Sequence, residues 1–134
     1  MKFELLIIDD EEIVLMLIKR LVLKVKLHDN PSTFSNGVEA INYLHASSKP
    51  EKAFLIFLDI NMPAFDGWEF LEMLSSMPLE GSINVVIITS SVNQSDKNKS
   101  KNYKEVIGYI EKPVTEAMMK EVSQIEKIAS YLNP

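Results

Sequence analysis

Acid, hydroxyl and cationic side chains stand at the ends of the apolar runs of this 134-residue chain. Asp9 and Asp10 follow residues 3–8, Asp59 follows residues 53–58, Thr89 closes residues 83–89, and Lys112 comes just after residues 106–110. Carboxylates brought within a few ångström repel, and one is driven to keep its proton unless a cation compensates. Oxygen-only donors with no cysteine in the chain favour a hard ion, and two or three carboxylates plus water suit magnesium better than the six to eight oxygens of a calcium cage. His28 and His45 fall in or beside other elements and are not ligands in this reading. Magnesium on carboxylates neutralises phosphate oxygens, and Thr89 and Lys112 add a hydroxyl donor and a mobile ammonium suited to the same group. With no serine–histidine or cysteine–histidine arrangement, an aspartate is the remaining nucleophile, as in enzymes that form an aspartyl phosphate. Asp59 is the central candidate. Taken singly, each signal also has a structural reading. The DDEE run can serve only as a helix N-terminal charge device, a strand-end aspartate as a turn residue, and Lys-Pro as punctuation. Their force comes from falling at successive strand ends.

The elements that must position these groups alternate five times. Residues 3–8, 53–58 and 83–89 are apolar without alternation, as in strands buried on both faces of a parallel sheet; 31–34 and 106–110 are the other two. Helices are expected from Glu12 to about Lys26, over 36–46 with Ser35 as cap, over 68–77, and from a Thr115 cap to Leu132 with Val122, Ile125 and Ile128 on one face. Residues 97–103 have almost no apolar stripe, so any helix there is short, exposed and mobile. The pattern is an α/β fold, a doubly wound five-stranded parallel sheet of flavodoxin-like order 2-1-3-4-5 with five helices. Ligands in such sheets sit beyond the carboxyl ends of the strands, here between the first and third, where Asp9, Asp10 and Asp59 converge.

With 46% hydrophobic and 25% charged residues, the chain has the usage of one globular domain spanning residues 1–134. A formal net charge of −5 argues against nucleic acid or anionic membrane as a partner. Acids at Asp9 and Asp10 break any signal-peptide core, and the longest apolar run, 13–18, is far short of a membrane span. Zero cysteines fit a reducing cytoplasm.

The motifs IIDDEE, FLDINMPAFDGWEFL, VVIITSS and GYIEKP together resemble the receiver domain of bacterial two-component response regulators, over essentially the whole chain. The resemblance implies that Asp59 is the phosphoacceptor and that Asp10, Asp59 and the main-chain carbonyl of Asn61 hold Mg2+, with Asp9 acting through water. It makes Thr89 the hydroxyl that moves to the phosphoryl group, Lys112 its cationic partner and Tyr109 the aromatic switch. Pro63 and Gly67 match the turn after the acceptor. Lys112 lies 53 positions after Asp59, one more than the compact family pattern, which places an extra residue in the polar stretch before Val106 and makes Ser90 a rival to Thr89. Val114 stands where the family often has phenylalanine. With Pro134 following directly on the last expected helix, no effector domain is expected.

The implied protein is a stand-alone, chemotaxis-regulator-like receiver, not a turnover enzyme, that assists its own phosphorylation and dephosphorylation. It takes a phosphoryl group from a sensor histidine kinase or a histidine phosphotransfer protein and signals to an unknown downstream protein. Two other readings stand beside it. One is a magnesium-dependent phosphohydrolase of the haloacid dehalogenase type, which wants Asp-x-Asp after its first strand. The other is a receiver-shaped binding module that is never phosphorylated.

Overall fold

A computed structural model describes residues 2–132; the chain end at Pro134 lies outside them. Five strands, β1 (Lys2–Ile8), β2 (Ser32–Phe34), β3 (Lys52–Leu58), β4 (Ser82–Thr89) and β5 (Val106–Glu111), form one parallel sheet in the order β2-β1-β3-β4-β5. Period-2 alternation sends successive side chains to opposite faces, so each strand feeds two cores. Leu6, Phe54, Ile56 and Val85 meet Leu44, Phe70 and Leu71 on one face. Leu5, Leu55, Phe57 and Val86 meet Ile18, Val22 and Met119 on the other. The helices covering these faces are α1 (Glu12–Lys24), α2 (Gly37–Ser47), α3 (Gly67–Ser76), α4 (Gln94–Ser100), α5 (Glu116–Ser123) and α6 (Glu126–Leu132).

Six helices replace the five expected. The single closing helix breaks because its apolar residues recur every third position: Val122, Ile125, Ile128. On a straight α-helix that spacing drifts around the axis, whereas tightened i→i−3 turns keep the residues aligned. Gln124 and Ile125 donate to the carbonyls of Glu121 and Val122 at 3.0 and 3.1 Å, and Val122 and Ile128 are both buried. The bend seats Tyr131 beside β1 and β4: its ring stacks on Phe3 at 5.5 Å and its hydroxyl meets Ser82 Oγ at 2.7 Å.

Three further details differ from the sequence reading. Asn36, not Ser35, caps α2, its Oδ1 accepting from the Glu39 N–H at 2.9 Å. The fourth helix starts at Gln94, not Lys97, because Asn93 supplies the capping acceptor for the Ser95 N–H. The ladder between β4 and β5 slips by one residue: Val85 pairs with Val106 and Val86 with Gly108. A one-residue irregularity therefore lies inside the edge strand, at Ile107.

Candidate functional site

Strand register brings the site together. The N–H of Asp59 donates to the Ile8 carbonyl at 3.1 Å, that of Asp9 to the Phe34 carbonyl at 3.1 Å, and that of Lys112 to the Thr89 carbonyl at 2.8 Å. The ladders thus run just past the strand ends and fix the residue that follows each. Carboxylate oxygens of Asp9, Asp10 and Asp59 all lie within 4.8 Å of one another. Asp9 and Asp59 are buried, at 1% and 4% exposure, while Asp10 faces solvent.

Each buried carboxylate has one backbone donor and shares one cation. Asp9 Oδ1 accepts from the Glu11 N–H at 2.9 Å, and Oδ2 from Lys112 Nζ at 2.8 Å. Asp59 Oδ1 accepts from the Asn61 N–H at 3.1 Å, and its Oδ2 lies 3.5 Å from Lys112 Nζ. Burial, helped by the Asp9 charge, pushes the Asp59 carboxyl above its ordinary range, although the Asn61 N–H, Lys112 and the Thr89 hydroxyl pull it back. Burial works against the Lys112 charge, but the bond to Asp9 and the charges of Asp59 and Asp9 outweigh it, so this ammonium is held above its usual range. One ammonium faces three carboxylates. A buried oxygen-only donor set of this kind, open at Asp10 and short of positive charge, fits a hard divalent cation.

The loop after Asp59 is held by a close approach. A Cβ on Gly67 would sit 2.5 Å from Ile60 Cα and 2.7 Å from the Asp59 carbonyl oxygen, so the start of α3 rests directly on the backbone that carries Asp59. Asp66 and Glu69 close a capping box there, each side chain accepting from the other's N–H.

Thr89 is fully buried and Ser90 is exposed. Thr89 Oγ1 accepts from Asn61 Nδ2 at 3.2 Å and from the Ser91 N–H at 3.3 Å. Tyr109 does not touch the acids; its hydroxyl donates to the Ser91 carbonyl at 3.1 Å. Ser91 therefore links the two, bonding Thr89 through its N–H and Tyr109 through its carbonyl. Sequence reasoning missed this residue and also the side-chain amide of Asn61, since its argument for Asn61 concerned the main-chain carbonyl alone. Main-chain bridges leave no side-chain signal, whereas an amide two residues after a candidate nucleophile could have been noticed. Val114 packs partly buried against the α1/α5 core, and the Lys112–Pro113 peptide is cis.

The sequence profile described as response regulator receiver domain matches residues 5–124. The chain belongs to that family. Two solved receivers share its fold over most of both chains. A response regulator receiver protein from Dyadobacter fermentans is 26% identical with a TM-score of 0.80, covering 91% of this chain and 95% of its own. A two component response regulator from Cytophaga hutchinsonii is 26% identical with a TM-score of 0.79, covering 96% and 98%. The probable methanogenesis regulatory protein FilR2 of Methanothrix harundinacea is 25% identical over 131 residues, 96% of this chain and 83% of that protein. As a receiver, this chain carries its acid cluster at the strand ends of a five-stranded sheet. Among the described residues, no helix of the receiver is long and apolar enough to cross a membrane.

Proposed function

We propose that this receiver accepts a phosphoryl group on Asp59 from the phosphohistidine of a sensor histidine kinase or phosphotransfer protein, and signals through altered protein contacts. A carboxylate oxygen of Asp59 attacks phosphorus, the phosphorus–nitrogen bond breaks, and its electron pair leaves with the imidazole, producing an acyl phosphate. The observation that carries this reading is the set of three carboxylate side chains within 4.8 Å of one another, with Lys112 Nζ at 2.8 and 3.5 Å from two of them at the strand ends of a receiver fold. Asp10, Asp59 and the Asn61 carbonyl would hold Mg2+, with Asp9 contributing through water. When bound, the ion supplies neutralisation of phosphoryl oxygens.

Lys112, already extended between Asp9 and Asp59, pairs with the incoming oxygens, and the Thr89 hydroxyl donates to them. Thr89 then gives up its present geometry toward Asn61 and Ser91, and the Ser91 carbonyl carries the change to Tyr109. The receiver is a phosphoacceptor, not a turnover enzyme; its lack of cysteine supports work in a reducing cytoplasm. Intact mass after exposure to acetyl phosphate or phosphorylated kinases with magnesium tests the reading. One phosphoryl group is expected on the wild type and none on Asp59→Asn, whose amide keeps the shape but cannot act as nucleophile. Transfer to Asp59→Asn at the wild-type rate refutes the assignment.

A further inference from the structure

A crevice of about 630 Å3 lies between α3 and α4 and shares no lining residue with the acid pocket. Trp68 stacks with Tyr103 in it, ring centres 6.0 Å apart and planes 24° apart. The ammonium of Lys99, from α4, lies 4.6 Å from the centre of the Trp68 ring. Around this pair are three acids of α3 and its cap. Glu72 accepts from the Tyr103 hydroxyl at 2.7 Å, and Asp66 and Glu69 each use one oxygen in the capping box. Each therefore keeps a second oxygen outside these bonds. Lys99 is the one cation lining the crevice among the described residues, and Met73 beside it is 43% exposed.

We propose that this crevice docks an arginine-bearing segment of a partner protein, and that Lys99 is an internal stand-in for the incoming cation. An indole face with carboxylates beside it is matched by a guanidinium, which stacks on the ring and bonds a carboxylate with two parallel N–H groups. Charge complementarity favours this occupant: three acids against one lysine here, on a receiver of net charge −5. The stand-in can leave, because α4, QSDKNKS, buries only Ser100. Nothing in this argument depends on phosphoryl transfer, so the docking surface and the phosphoacceptor reading can fail separately.

The test uses the full chain and a synthetic peptide of arginine and alanine, with a glutamine-for-arginine peptide as control. Trp68 is the single tryptophan, so its fluorescence reports the crevice directly, and amide NMR shifts locate the contact. The arginine peptide is expected to saturate the signal with shifts confined to α3 and α4. Lys99→Gln frees the ring and tightens binding about 2- to 5-fold, the worth of an exposed cation–π contact. Lys101→Gln, the same charge change outside this crevice, leaves affinity unchanged, and Glu72→Gln, which can still accept from Tyr103, weakens it. The proposal is overturned if no saturable binding occurs, if Lys101→Gln tightens binding as much as Lys99→Gln, or if the shifts map to Asp9, Asp10 and Asp59, where the peptide would be following bulk charge.

Discussion

Lys112 is the one ammonium between two buried carboxylates, and replacing it by methionine keeps the stem while deleting the charge. Asp9 is 1% and Asp59 4% exposed, with Nζ at 2.8 Å from the first and 3.5 Å from the second. Breaking a buried ion pair from one side costs about 3–5 kcal/mol. The Lys112 side chain retains 16% of its surface, so the lower end applies, about 3 kcal/mol. A chain of 134 residues unfolds with an entropy near 0.28 kcal/mol per degree, so the midpoint should fall by about 10 °C at neutral pH. The sign of its pH dependence follows from the same contacts. Lys112 holds the Asp59 carboxyl down against burial, so in Lys112→Met the folded value rises further. An acid whose folded value is raised destabilises the fold while ionised, and the penalty disappears as pH falls through that value toward the ordinary range near 3.9. The deficit should therefore shrink as the pH is lowered from neutral into the ordinary carboxylate range. Lys112 itself lies above its ordinary 10.5, so its contribution is complete below that value and is lost as pH rises through the folded one. Millimolar magnesium should restore part of the loss at neutral pH by replacing the missing charge. Circular-dichroism melts across this range, with chelator and with magnesium, measure each expectation. A deficit that does not change with pH, or one under about 1 kcal/mol as for a solvent-screened pair, would refute the argument.

Other expectations rest on the same geometry. In wild-type protein, magnesium at ten times its dissociation constant should add about 1.4 kcal/mol, near 5 °C in a thermal melt; Asp10→Asn should abolish that response with little effect in chelator, since Asp10 is exposed. Thr89→Ala should still take up a phosphoryl group but show no change in hydrogen exchange over residues 89–112 on adding beryllofluoride; that failure in Ser90→Ala alone would show the wrong hydroxyl had been chosen. Gly67→Ala should cost about 1–3 kcal/mol from overpacking, because its Cβ would lie 2.5 Å from Ile60 Cα. It should also slow phosphoryl transfer to Asp59 by displacing the backbone beneath it, measured by acetyl phosphate labelling against a melt of the same sample.

The five parallel strands and the reactive groups at their ends were legible because both follow from local chemistry that a parallel sheet repeats: unbroken apolar runs, then an acid, a hydroxyl or a lysine at each end. What escaped were effects of neighbours. Three-residue spacing at Val122, Ile125 and Ile128 reads as one helical face until the turns tighten to keep it aligned. Gly67 reads as a turn residue, yet what requires it is the backbone of Asp59 and Ile60 in direct contact. The fourth helix was legible as short and polar but not in how it is held. Without an apolar stripe it is tied by the Ser91–Asp96 bond at 2.6 Å, the Lys97–Glu111 ion pair, and Lys99 on Trp68. Ser91 stands at the junction of these ties and the path from Thr89 to Tyr109: its N–H and carbonyl serve that path while its Oγ donates to Asp96. A shift of Thr89 toward a phosphoryl group would disturb the Ser91 backbone and with it the attachment of α4. Polar ties exchange with water at a net cost near 1 kcal/mol each, so a helix held this way can be repositioned by one charge-assisted bond at Asp59, whereas an apolar anchor of several buried side chains would resist it.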